Sequence, residues 1–203
     1  MLALRRYLLP FLVFAIFSFF ESKISLELMH FLYSVKIVSC GLLIYYLFKD
    51  CQNEIIGKVD VQSILLGVLV FIVWIYPLLH LGVIKNISNV NPDGLMFYFI
   101  FIVRLTGSCI VIPILEELFF RSFLMRFLIN QDFLKVELGA YNFVSFWGTV
   151  IVFALLHLKA EWIVAAISGI LYGLYLIRSK NLVGCIVAHG TTNFLLLIYA
   201  FFD

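Results

Sequence analysis

Long apolar runs separated by short polar breaks dominate this chain. The fourth run continues without a polar break through residues 116–129, and Pro113 within it is expected to kink that helix or to begin a new one. A helix needs about 20 apolar residues to cross a bilayer, so the pattern predicts an all-α fold, a polytopic transmembrane helical bundle of about seven spans (six to eight). The predicted spans lie near residues 4–21, 29–48, 62–84, 95–115, 143–158, 161–177 and 182–202.

Polar and turn-forming segments mark the ends of these spans. No internal repeat and no segment long enough for a separate soluble domain is found, so residues 1–203 are interpreted as a single integral membrane domain. The first run follows Arg5 and Arg6 without a small-residue cleavage site, and it is interpreted as a retained span rather than a signal peptide. The predicted breaks are Lys49 to Asp60, Asn86 to Gly94 (with Asn91-Pro92-Asp93-Gly94 as a turn), Gln131 to Asn142, and Arg178 to Asn181.

The composition indicates whether the chain folds in water or in a membrane. Hydrophobic residues make up 64% and charged residues 13% of the sequence, whereas a soluble domain has about 25% charged residues. The net charge of +2 gives no indication of nucleic-acid binding. The cysteines show no metal-type spacing, and most lie in or beside apolar runs, where a cysteine is usually a small hydrophobic residue. An integral membrane protein is predicted.

The distribution of basic residues predicts an orientation. Pairs of basic residues fall in alternate breaks, and the other breaks carry single lysines. The positive-inside rule then places the N-terminus in the cytoplasm and the C-terminus outside. The pairs are Arg5/Arg6, Lys49/Lys58, Arg126/Lys135 and Arg178/Lys180, and the single residues are Lys23, Lys85 and Lys159.

The first candidate for chemistry is the segment Leu115-Glu116-Glu117-Leu118-Phe119-Phe120-Arg121. Ionisable groups at membrane depth are costly and by default indicate a functional site. On a helix, Glu117 and Arg121 are an i,i+4 pair on one face, whereas Glu116 points about 100° away. This geometry favours a structural Glu117–Arg121 pair and leaves Glu116 free for chemistry.

Polar partners for Glu116 occur in two later spans. His157 lies near the end of the fifth span, and His189 and Asn193 form another i,i+4 pair inside the last span. Counting about 1.5 Å per residue from the nearest predicted cytoplasmic break puts all four groups at overlapping depths. Because lipid offers no hydrogen-bond partners, these side chains are expected to share one buried cavity.

Two kinds of chemistry fit such a set. Glu116 can act as a general base that takes a proton from a water held by His157. His189 and Asn193 can then donate hydrogen bonds to the oxyanion formed as the water attacks a peptide carbonyl. Alternatively, Glu116, His157 and His189 can ligate Zn²⁺, although neither histidine lies in a His-Glu-x-x-His motif.

The motifs Glu-Glu-x-x-x-Arg (116–121), Phe-x-x-x-His (153–157) and His-x-x-x-Asn (189–193), in this order, resemble those of the CPBP family. This family comprises type II CAAX prenyl proteases and bacteriocin-processing (Abi) membrane proteases, and the resemblance covers roughly residues 104–202. It implies a helical intramembrane endopeptidase of the glutamic type that needs no cofactor, with Zn²⁺ as the alternative. It also implies Glu116 as the base, His157 as its partner, and His189 and Asn193 as the oxyanion hole, with Glu117 and Arg121 supporting.

The segments Glu117 to Arg126, Asp132 to Gly139 and Ile186 to Phe194 resemble a prokaryotic, CAAX-protease-related branch. Some of its members accompany C-terminal protein-sorting signals. The resemblance implies a membrane-protein substrate with a C-terminal transmembrane or lipidated tail, and a location in a prokaryotic cytoplasmic (inner) membrane. Ser122 departs from the family, which commonly has glycine after the arginine, and this change is expected to affect helix packing more than chemistry.

Other interpretations remain open for single residues and for the whole chain. Glu116 can instead form a salt bridge with Arg104, which lies twelve residues earlier, and Arg104 can instead bind a substrate carboxylate. Buried Glu and His side chains also occur in transporters and proton relays. A non-enzymatic membrane partner or immunity factor of the same fold is a further alternative.

Overall fold

In the computed structural model, the described residues are 2–21, 23–55, 57–81 and 94–202, and they form seven long helices and no strand. This confirms the predicted all-α bundle. The predicted break from Asn86 to Gly94, with its turn at residues 91–94, lies outside the described residues except for Gly94. The helices are α1 (Leu2–Glu21), α2 (Leu26–Ile55), α3 (Val61–Leu81), α4 (Leu95–Phe127), α5 (Phe143–Leu155), α6 (Trp162–Ser179) and α7 (Leu182–Phe202).

The helices are apolar enough for a membrane, but their lengths differ more than predicted. Within the described residues, four segments are long and apolar enough to cross a bilayer: Leu28–Leu47, Leu95–Phe127, Lys159–Ser179 and Leu182–Phe201. Shorter apolar helices cover Val61–Pro77 and Phe143–Leu155. Many large apolar side chains point outward, as lipid contact requires. The protein is therefore an integral membrane protein.

Helix α4 continues through Pro113 and does not end there. Its turns widen to π-helix at Gly107–Val111 and again at Leu118–Leu124, with a short α-helical segment, Ile112–Glu117, between them. The amide N–H of Ile112 donates to the carbonyl of Gly107, five residues earlier. Proline has no N–H to donate, and the widened turn just before Pro113 accommodates this loss without breaking the helix.

The predicted break between the second and third spans begins too early. Helix α2 runs to Ile55, although the polar stretch from Lys49 was expected to end it. A helix needs apolar residues only within the bilayer, so its polar continuation remains helical outside the membrane. This extension brings Glu54 to α4, where its carboxylate lies 2.6 Å from Arg126 Nη2 and accepts a hydrogen bond from the hydroxyl of Ser122. We call Glu54, Ser122 and Arg126 the Ser122 network.

Close helix contacts fix the arrangement around α4. Helix α3 packs on α7 at Gly67, where a Cβ atom would lie 2.5 Å from the carbonyl oxygen of Ala188. Helix α1 packs on α4 through Phe11, whose ring stacks on that of Phe119 at 3.7 Å between centroids. The ring of Phe120 meets that of Phe153 on α5 edge-on at 5.0 Å. Helices α1 and α5 thus pack directly on α4 close to the glutamate pair, and α3 packs on α7.

Candidate active site

Glu117 and Arg121 form the predicted pair on one face of α4. Arg121 Nε lies 3.1 Å from Glu117 Oε2, and the two side chains are 2% and 0% exposed. The other carboxylate oxygen, Glu117 Oε1, lies 2.9 Å from Nδ1 of His189 on α7. Glu117 therefore links Arg121 to His189, a contact that the sequence did not predict.

Glu116 faces the other side of the same imidazole. Its Oε2 atom lies 3.8 Å from Nε2 of His189, and its side chain is 12% exposed. One ring nitrogen of His189 thus faces Glu117 and the other faces Glu116. We call Glu116, Glu117, Arg121 and His189 the Glu–His cluster.

The ring of His189 packs against a tyrosine that is itself anchored to α7 and, through Thr192, to α3. It stacks on the ring of Tyr172 in α6, with 5.4 Å between centroids and 21° between planes. The hydroxyl of Thr192 donates to the carbonyl of Gly67 in α3 at 2.9 Å, and the Tyr172 hydroxyl lies 2.8 Å from the same Thr192 oxygen. Since Thr192 has one proton to give, Tyr172 is the donor to Thr192. The sequence did not predict either Tyr172 or Thr192 as a site residue.

The outer nitrogens of Arg121 lie among aromatic rings. Nη1 and Nη2 are buried and have no hydrogen-bond partner among the described residues. The guanidinium carbon lies 4.5 Å from the ring centroid of Phe153 and 5.5 Å from that of Tyr172. Cation–π attraction of this kind is stronger when the cation is removed from water. The charge of Arg121 is therefore balanced by Glu117 and by aromatic faces.

Asn193 is joined to the backbone of α4. The N–H of Ile112 bonds to Gly107, and Pro113 has no N–H, so neither residue satisfies the carbonyl of Ser108 from within the helix. The side-chain Nδ2 of Asn193 donates to this carbonyl at 2.8 Å. Asn193 therefore satisfies a backbone acceptor that the π-helical turn and the proline leave without a helical partner.

His157 lies at the end of α5. Its Nδ1 donates to the carbonyl of Phe153 at 2.8 Å, which leaves Nε2 free to accept. The imidazole centroid is 4.7 Å from that of the Phe153 ring and 5.8 Å from that of Trp74. His157 thus shares the Phe153 ring with Arg121. Among the described residues, no three His, Cys, Asp or Glu side chains form a metal-binding group, so the alternative ligand set Glu116, His157 and His189 is not assembled.

Arg104 lies apart from the Glu–His cluster. Its guanidinium carbon is 5.2 Å from the ring centroid of Tyr33. Twelve helical residues correspond to about 18 Å along α4. The alternative salt bridge between Arg104 and Glu116 is therefore wrong, because Glu116 faces His189 at a different depth.

The fold and the Glu–His cluster define a class of protein: a polytopic helical membrane protein with buried ionisable groups inside the bundle. Residues 97–195, from the start of α4 into α7, match the family model described as Type II CAAX prenyl endopeptidase Rce1-like. This match spans 99 of the 203 residues and confirms the resemblance that the three motifs indicated. It supports a CAAX-type intramembrane protease, a peptidase that acts on a protein substrate in a membrane setting. No curated protein and no solved structure matches the chain.

Proposed function

We propose that this protease hydrolyses a peptide bond in or near the membrane segment of a partner protein by a glutamate-activated water mechanism. The observation that carries the proposal is the approach of Glu116 Oε2 to His189 Nε2, 3.8 Å apart inside the bundle. A water oxygen can lie at about 2.8 Å from both atoms at this separation. Glu116 is also partly accessible, as a base that must meet water requires.

In the proposed reaction, Glu116 takes one proton from the water as the water oxygen bonds to the peptide carbonyl carbon. The Nε2 edge of His189 and the second amide hydrogen of Asn193 donate to the developing oxyanion. His157 helps to orient the water through its accepting Nε2. Collapse of the tetrahedral intermediate breaks the C–N bond, and Glu116 returns its proton to the leaving amine.

We propose that the substrate is a membrane protein with a C-terminal transmembrane or lipidated tail. The segments that resemble the sorting-associated branch support this choice, and so does the depth of the cluster, which a soluble peptide would not reach. We further propose that the protein resides in a prokaryotic cytoplasmic membrane with its N-terminus inside. A reporter fused after residue 203 should then be active only if it functions outside the cytoplasm.

The decisive experiment compares the wild type with Glu116→Gln. Each is co-expressed with candidate tail-bearing membrane proteins, and the cut is mapped by mass spectrometry. Removal of a general base should lower turnover by about 10²–10⁴-fold, because the amide cannot accept the proton from water. Glu54→Gln is the matched control, since it removes a carboxylate of the Ser122 network and should keep activity. Turnover by Glu116→Gln close to that of the wild type would refute the assignment.

A further inference from the structure

We infer that Glu117 is a positioning residue that holds a proton on Nδ1 of His189 and thereby presents Nε2 to Glu116. The inference rests on the proposed function, in which the Nε2 edge of His189 takes part in the reaction. It gives Glu117 a role beyond its structural pairing with Arg121. Glu117 itself is fully buried, so it acts through His189 and does not meet the substrate.

The hydrogen-bond geometry determines which ring nitrogen carries the proton. Glu117 Oε1 lies 2.9 Å from His189 Nδ1, and an ionised carboxylate can only accept. The second oxygen of Glu117 lies 3.1 Å from Arg121 Nε, and a permanently charged guanidinium favours the ionised carboxylate. Nδ1 must therefore be the donor, and any change of protonation during the reaction occurs at Nε2.

The surroundings of His189 restrict the orientation and the protonation of its ring. Its ring stacks on Tyr172, and a 180° flip in the same plane would put carbon atoms in place of both nitrogens and lose the contacts with Glu117 and Glu116. The side chain of Glu117 is 0% exposed, and water does not compete for its hydrogen bond. The cluster holds two carboxylates and one guanidinium, so a doubly protonated His189 would make its formal charge zero. Glu117 thus supports a charged donor at Nε2, where an oxyanion would develop.

The test replaces Glu117 with glutamine, which has nearly the same shape but can donate as well as accept. The amide of Glu117→Gln can donate to an unprotonated Nδ1, so the ring loses the second proton that makes Nε2 a charged donor. Loss of a group that orients a catalytic histidine lowers turnover by about 10²–10⁴-fold. We expect a fall of this size in kcat with KM nearly unchanged, because the side chain does not touch the substrate.

A spectroscopic measurement separates positioning from a purely structural role. The protein is labelled with ¹⁵N-histidine and reconstituted in lipid nanodiscs, and the His189 resonances are assigned from their absence in His189→Gln. In the wild type, Nδ1 should be protonated. In Glu117→Gln, Nδ1 should lose its proton, whereas Glu117→Asp, which keeps the carboxylate, and the control Glu54→Gln should both keep Nδ1 protonated.

The outcomes are distinct. An unprotonated Nδ1 in the wild type would overturn the inference, even if the glutamine variant did not fold. So would a Glu117→Gln variant with wild-type kcat and tautomer. If Glu116→Gln retains full activity, the proposed function itself fails. If Glu116→Gln is inactive while Glu117→Gln is unaffected in both readouts, only the role of Glu117 is refuted.

Discussion

Helix α4 carries two arginines close together, each paired with a glutamate, and the two pairs are satisfied in different ways. In the Ser122 network, all three guanidinium nitrogens of Arg126 have oxygen partners on Glu54, Ser122 or Val136. In the Glu–His cluster, Arg121 uses only Nε, and its two outer nitrogens face aromatic rings. The Glu117 carboxylate is shared with an imidazole.

This difference separates a group that joins helices from a group suited to chemistry. The Ser122 network, at the edge of the bundle, is fully hydrogen-bonded and joins α2 to α4. It leaves no polar atom available for a reaction. The Glu–His cluster is more deeply buried and leaves Glu116 and one nitrogen of His189 without a tight partner. A buried polar atom without a close hydrogen-bond partner costs free energy, and such atoms are characteristic of functional sites.

The largest effect on stability should come from removing the two arginines in turn. Arg121→Met leaves the carboxylate of Glu117 buried without its cation, and loss of one partner of a buried pair costs about 3–5 kcal/mol. Arg126→Met should cost less, about 1–2 kcal/mol, because Glu54 is partly exposed and can be rehydrated. Reversible unfolding of both variants in detergent measures the difference. Equal losses would show that the two pairs contribute alike.

A smaller effect tests the contact between Asn193 and Ser108. Asn193→Ala leaves the Ser108 carbonyl without its donor, which should cost about 1–3 kcal/mol. Pro113→Ala supplies a backbone N–H within the same widened turn, so the double variant should regain part of this stability without regaining activity. The four unfolding free energies form a double-mutant cycle. Strict additivity would contradict the proposed link between proline, π-helical turn and asparagine.

Asp60 provides a partly exposed counterpart to the buried carboxylates. Hydrogen bonds from the Tyr175 hydroxyl and the backbone N–H of Ser63 hold the pKa of Asp60 below its ordinary value. The stabilisation by Asp60 is therefore present above its ordinary pKa and is lost as the pH falls through the lowered value. Asp60→Asn keeps a cap for α3 and should cost less than about 1 kcal/mol near neutral pH. Its deficit relative to the wild type should shrink in acid; a constant deficit would contradict this assignment.

The smallest expected effect is that of metal removal. We predict that dialysis against a strong chelator leaves turnover in proteoliposomes unchanged, because the proposed base is a carboxylate acting directly on water. Metal analysis of the dialysed sample is the accompanying control. A loss of activity that added Zn²⁺ restores would instead favour the metal-dependent alternative.

The sequence predicted the helices well because apolar run length determines membrane spans directly. It also predicted the Glu117–Arg121 pair, since i,i+4 geometry is local. It did not predict that His189 lies between two carboxylates, because contacts across helices depend on how each helix is rotated. The widened turns of α4 change that rotation and carry no clear sequence signal.

The contact of Asn193 with Ser108 was also inaccessible from sequence. Predicting it requires knowing which backbone carbonyl lacks a helical donor. Pro113 shows that one donor is absent, but the other, the N–H of Ile112, is diverted only by the π-helical turn. His157 illustrates a different limit. The depth estimate placed it level with Glu116, yet depth says nothing about the direction of a ring that bonds to its own helix. The catalytic roles of these residues stay predictions.

The two widened turns also bear on motion. The six residues Ile112–Glu117 lie between them, and each widened turn contains a hydrogen bond that reaches five residues back, from Ile112 to Gly107 and from Met125 to Phe120. Exchange of such a bond for the ordinary four-residue pattern rewinds the backbone locally and turns the intervening segment about its own axis. Glu116 lies in this segment, so a rewinding of either turn would change the distance between its carboxylate and His189.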